Sequence, residues 1–61
     1  MEPTEAQYLV LNALETLGFL QETTYDEATG RWYINTFSNV LPVAMIVRNG
    51  EVVPVWWTLE L

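Results

Sequence analysis

The chain contains no cysteine, no histidine and no lysine. Without cysteine there is neither a disulfide framework nor a thiolate metal site, two devices that commonly stabilise very small domains. Without all three residue types, the commonest general bases and the stronger nucleophiles are missing as well. Ser38 is the only serine, and no base neighbours it in sequence beyond distant carboxylates. These absences predict a protein that is not an enzyme and needs no cofactor. No stretch approaches the roughly 20 apolar residues of a membrane span. The acidic start, Met-Glu-Pro-Thr-Glu, lacks the basic and apolar regions of a secretory signal, and together with the missing cysteines it gives the expectation of a cytoplasmic protein.

Positive charge is also scarce. Eight acidic residues face two arginines, for a net charge of −6. Nucleic acid and anionic lipid repel such a chain, so direct binding to either is not expected. Its field favours basic surfaces, which include the nucleic-acid clefts of other proteins. The same charge also keeps an apolar domain in solution, and solubility is the reading preferred here.

Hydrophobic residues, by contrast, are abundant at 51%, and the aromatic set comprises three Trp, three Tyr and two Phe. A chain of 61 residues makes one small domain and buries only about 60% of its unfolded surface. Some rings must therefore stay near the outside. Aromatic packing and oligomerisation are the remaining ways to stabilise so small a scaffold.

Thr4-Glu5-Ala6-Gln7 has the spacing of a capping box, and Glu5 suits the positive end of a helix dipole. Ala6, Leu9, Val10, Ala13 and Leu17 then recur along one helical face. Gly18 can take the left-handed turn that ends a helix, with Phe19 folding back on the last turn. The pattern predicts a helix over about 5–17 with that stripe inward, Leu14 at its margin, and Tyr8, Leu11 and Glu15 on the outer side.

A first hairpin is expected over about 20–37. Thr24-Tyr25-Asp26-Glu27-Ala28-Thr29, followed by Trp32, resembles the C-terminal hairpin of the immunoglobulin-binding domains of streptococcal protein G. The likeness departs from that pattern at Gly30 and Arg31. It implies a loop in which Asp26 opposes Arg31 and Tyr25 opposes Trp32, and it implies nothing about antibody binding. Strand alternation then puts Thr23, Tyr25, Trp32 and Ile34 on the core side, with Glu22, Thr24, Tyr33 and Asn35 on the other.

Ser38 to Pro42 reads as a connection. A second hairpin over about 43–58 turns at Asn49-Gly50, a dipeptide that favours a two-residue type I′ turn. That turn sets Arg48 against Glu51, Val47 against Val52 and Ile46 against Val53. Ala44, Ile46, Val53, Val55 and Trp57 would share one face, and Val43, Met45, Val47, Val52 and Trp56 the other. Both faces are apolar, unlike a sheet with one wet side. Pro54 lacks an N–H and marks an edge or a bulge. The fold class is therefore α+β, with one N-terminal helix packed on a four-stranded antiparallel meander.

One helix covers one sheet face, so the adjacent indoles of Trp56 and Trp57 should point one into the core and one away. Tryptophan is enriched among residues that dominate interface energies. The function expected is a non-catalytic protein-binding module, a small inhibitor or adaptor. Its exposed aromatic sheet face would involve Trp56, Trp57, Tyr33 and Met45, with Tyr8, Leu11 and Glu15 contributing from the helix. The partner is a foreign protein or a second copy in a homodimer. The alternative is an acidic inhibitor of a nucleic-acid-binding protein, such as a phage anti-defence protein that is anti-CRISPR-like or a DNA mimic, acting through Glu22, Asp26 and Glu27. Those three residues are also the only candidates for a carboxylate-based hydrolase or an oxygen-ligand cation site. Because Asp26 to Gly30 lacks the alternating acids of a calcium loop, the expectation is a solvated loop with Asp26 serving the turn and no metal.

Overall fold

A computed structural model describes residues 1–56. Helix α1 (Glu5–Thr16) is followed by strands β1 (Leu20–Asp26), β2 (Arg31–Thr36), β3 (Val43–Ile46) and β4 (Val52–Pro54). The strands form one antiparallel sheet in the order β1-β2-β3-β4. The α+β meander expected from sequence is the fold.

The helix starts where its cap allows. Thr4 Oγ1 accepts from the Gln7 amide at 3.1 Å, and the Thr4 amide donates to Gln7 Oε1 at 3.0 Å. It ends at Gly18, whose φ of 77° lies in the left-handed region. There the Phe19 amide donates to Leu14 and the Gly18 amide to Glu15, both at 3.0 Å, the paired bonds of a Schellman motif.

The buried face of α1 differs from the stripe expected. Gln7 and Leu11 are buried, Val10 and Leu14 pack alongside, and Leu9 and Leu17 are 64% and 65% exposed. Leu11 is thus a core residue and not part of an outer binding face. The helix is rotated because Gln7 Nε2 donates to the carbonyl oxygens of Gly30 (2.7 Å) and Ile46 (3.1 Å). With Oε1 occupied by the Thr4 amide, this amide has partners for both N–H groups and for its oxygen. A polar side chain thereby fixes which face of the helix meets the sheet. Beneath it, Ile34, Ala44 and Ile46 complete the core with Leu11, flanked by Trp32, Leu20 and Leu41. Complete burial of each isoleucine contributes about 1.5–3 kcal/mol.

The first hairpin has the expected register, with Asp26 opposite Arg31 and Tyr25 opposite Trp32. Asp26 Oδ1 accepts from the Ala28 amide at 3.0 Å and so serves the turn. The second hairpin does not. Ile46 opposes Val52 and Met45 opposes Val53, one residue off the expected pairing. A type I′ turn needs positive φ at both central residues, and Gly50 alone has it, at 93°. Asn49 instead accepts the Glu51 amide through Oδ1 at 3.0 Å. The Gly50 amide bonds to Val47 O at 2.8 Å and the Val47 amide to Glu51 O at 3.0 Å, which makes a three-residue loop with a glycine bulge. A one-residue slip exchanges faces. Val52 and Pro54 therefore join Ala44 and Ile46 on the helix side, while Val53 joins Met45 on the other.

Gly50 also lies against the helix, where an added Cβ would sit 3.2 Å from both the Cβ and the carbonyl oxygen of Ala6. At Gly18 the same addition meets nothing within 4 Å. Gly18→Ala is expected to cost only the left-handed penalty, about 1–2 kcal/mol. Gly50→Ala should cost clearly more, because backbone must also shift. Urea unfolding of the two variants side by side checks the order, and equal losses would refute the close approach.

Candidate functional site

The N-terminal end of α1 is tied to both hairpin turns. Thr4 Oγ1 donates to Arg48 O at 2.7 Å, Tyr25 Oη donates to Met1 O at 2.6 Å, and Arg48 Nη1 donates to Glu2 O at 3.2 Å. From this fixed end the helix leads back toward the start of β1. Its Ala6 flank faces the β3–β4 turn. Its Tyr8 flank faces the first hairpin, with the Tyr8 ring 6.3 Å from that of Trp32. Part of the sheet on the β4 side therefore lies outside the helix's cover.

An open apolar groove of about 250 Å³ occupies that gap. Its floor is Ile34 and Ala44, and Leu14 and Phe19 form the helix-side wall. The Schellman motif positions this wall, since the hydrogen bond from Phe19 to Leu14 holds the two residues together at the end of the helix. Val52 closes the opposite side, placed there by the three-residue turn.

The remaining wall comes from the β2–β3 connection, shaped by two hydroxyls. Thr36 Oγ1 donates to Leu41 O at 2.7 Å and accepts from the Ser38 amide at 3.2 Å. Ser38 Oγ accepts from the Val40 amide at 3.2 Å and the Leu41 amide at 3.4 Å. Leu41 lines the groove, whereas Val40 is left 90% exposed. Phe37 is exposed as well, and its amide donates to Phe19 O at 3.0 Å, so both phenylalanines belong to the same rim. No ionisable side chain lines this groove.

The residues expected to form an aromatic sheet surface are dispersed. Met45 is buried at 2% exposure and Tyr33 is half-buried. They are cross-strand partners on the face away from the helix, and Met45 is no part of an open surface. Trp56 is exposed just beyond β4, while Trp57 lies outside the described residues. Tyr8 is exposed, but its ring meets Trp32 edge-on, and Trp32 is stacked on Tyr25 at 5.0 Å. The buried Nε1 of Trp32 has no hydrogen-bond partner among the described residues. Glu15 is exposed beside a separate polar depression formed with Leu20 to Thr23.

Glu22 and Asp26 stand toward opposite ends of β1 and project to the face away from the helix. Four residues of strand separate them by about 13 Å. Asp26 is engaged in its turn, and Glu22 Oε2 accepts from Asn35 Nδ2 at 3.3 Å. Glu27 lies in the loop. Among the described residues no group of three or more acids, histidines or cysteines is arranged to hold a metal ion. Also among them, no helix is long and apolar enough to cross a membrane.

Sequence reasoning missed the groove. Its signals were present as the Gly18-Phe19 helix stop and the Thr36-x-Ser38 hydroxyl pair, but Val52 was assigned to the wrong face. The chain matches no protein-family model, no curated protein and no solved structure, so the groove rests on this chain's own geometry.

Proposed function

We propose that this domain is a non-catalytic protein-binding module whose binding surface is the apolar groove between α1 and β4. The observation that carries the reading is a preformed groove, uncharged in its lining, with Phe19, Phe37 and Val40 exposed around it. Apolar concavities rimmed by large exposed side chains are where protein partners dock. The only polar side chains in the lining, Thr36 and Ser38, have their hydroxyls committed to the connecting loop. That arrangement supports binding over acid–base or nucleophilic chemistry. The excess of carboxylates serves solubility in this reading.

A photo-crosslinking side chain placed at Val40, compared with one at Thr24, tests the proposal in cells that make the protein. Val40 lies beside the groove, and Thr24 is exposed on the face away from the helix near Glu22. A discrete protein adduct at position 40 and none at 24 is the expected result. Adducts only at 24 would move the site to the acidic face and favour an inhibitor of a basic cleft. No adduct at either position would count against a binding module.

A further inference from the structure

The exposed flank of α1 indicates what the groove takes. Leu9, Ala13 and Leu17 are spaced four apart, so they line one side of the helix, and all three are exposed. This is the flank of Ala6, which faces the β3–β4 turn. The stripe reads Leu-x-x-x-Ala-x-x-x-Leu and is symmetric about Ala13. Laid antiparallel on an identical stripe, Leu9 of each copy meets Leu17 of the other, and the two Ala13 residues meet at the centre. That is the self-complementarity a two-fold interface requires.

We infer that the occupant of this surface is a second copy of the chain, docked helix to helix across a two-fold axis at Ala13. This rests on the reading of the groove as a binding site and names its partner. Area supports it. Leu9, Leu17, Phe19, Phe37, Val40 and Val52 are all exposed. Taking on the order of 150–200 Å² for each large apolar residue, they offer roughly 700 Å² per copy, close to the ~800 Å² per partner of a stable interface. Charge is compatible. Neither the stripe nor the groove lining contains an ionisable residue, so pairing buries no like charges there. The repulsion between two copies of net charge −6 acts only at longer range, where salt screens it.

Sedimentation across a concentration series, at low and high salt, tests the inference. The mass should rise from 7.0 kDa toward twice that value, and at lower concentration in high salt. Leu9→Ser and Leu17→Ser should each weaken dimerisation at least tenfold with helical circular dichroism unchanged, since both side chains are exposed in the monomer. Ala13→Leu adds apolar surface and keeps helix propensity, yet it should also weaken the dimer by separating the helices at their centre. A dimer indifferent to all three variants but lost in Thr23→Pro would show pairing through the β1 edge and overturn the inference. A monomer at every concentration and salt would also overturn it. If a foreign protein were then crosslinked at Val40, the binding-module reading would stand without the dimer.

Discussion

Gln7→Ala is expected to lower stability by about 3–4 kcal/mol. The change strands the Gly30 and Ile46 carbonyl oxygens, each costing about 1–3 kcal/mol when buried and unpaired. It also removes one half of the capping box. A chain of this length holds only about 3–9 kcal/mol in total, at ~0.05–0.15 kcal/mol per residue. The melting temperature should fall by roughly 15–25 °C, given about 4–8 °C per kcal/mol for small domains. Gln7→Glu sharpens the test, because it keeps the acceptor for the Thr4 amide and points a carboxylate at two carbonyl oxygens. Burial and those oxygens raise the pKa of an introduced acid above its ordinary value of about 4.3. The glutamate variant should therefore be closest to the parent below that pH. It should lose stability as pH rises through the raised folded-state value. Thermal melts of the parent and both variants from pH 4 to 7 would check this, and a loss below about 1 kcal/mol in Gln7→Ala would refute the buried amide's role.

Leu11→Ala is expected to cost about 2–4 kcal/mol, within the range for truncating a buried leucine. Leu9→Ala, two positions earlier, should change stability by less than about 0.5 kcal/mol at concentrations where the protein is monomeric. The pair decides which face of the helix is inside. If Leu9 proved the costlier position, the helix would be rotated as its apolar periodicity alone suggests. Urea unfolding at low protein concentration measures both, and the low concentration keeps any dimer contribution from Leu9 out of the comparison.

Local chemistry carried much of the fold in plain view. The Thr4–Gln7 cap, the Gly18 stop and the Asp26 turn are each decided within a few residues, and each was legible. Rotation of the helix was not, because it depends on Gln7 finding two carbonyls that lie 23 and 39 residues away. Periodicity counts Gln7 as polar and therefore outward, whereas a glutamine with every hydrogen bond satisfied is a sound core residue. The second hairpin failed for a related reason. Asn-Gly suits a two-residue turn, but Asn49 found a partner in the Glu51 amide, and the register moved by one. That single step carried Val52 into the groove and left Met45 buried beside Val53. The groove was illegible because it is a gap left by a helix whose tilt is set by distant bonds.

The hydrogen bonds joining Thr4 and Gln7 to Arg48 and Ile46 also constrain when the domain can form. A 12-residue helix is marginal in water by itself, and two of the bonds that hold this one come from β3 and the turn after it. During synthesis the first element made must wait for nearly the last. Early helical structure should be fleeting, with sheet and helix locking together in one step. A chain ended before Ile46 would expose its apolar residues with nothing to close over them, so truncation should yield an unfolded, aggregation-prone fragment in place of a smaller domain.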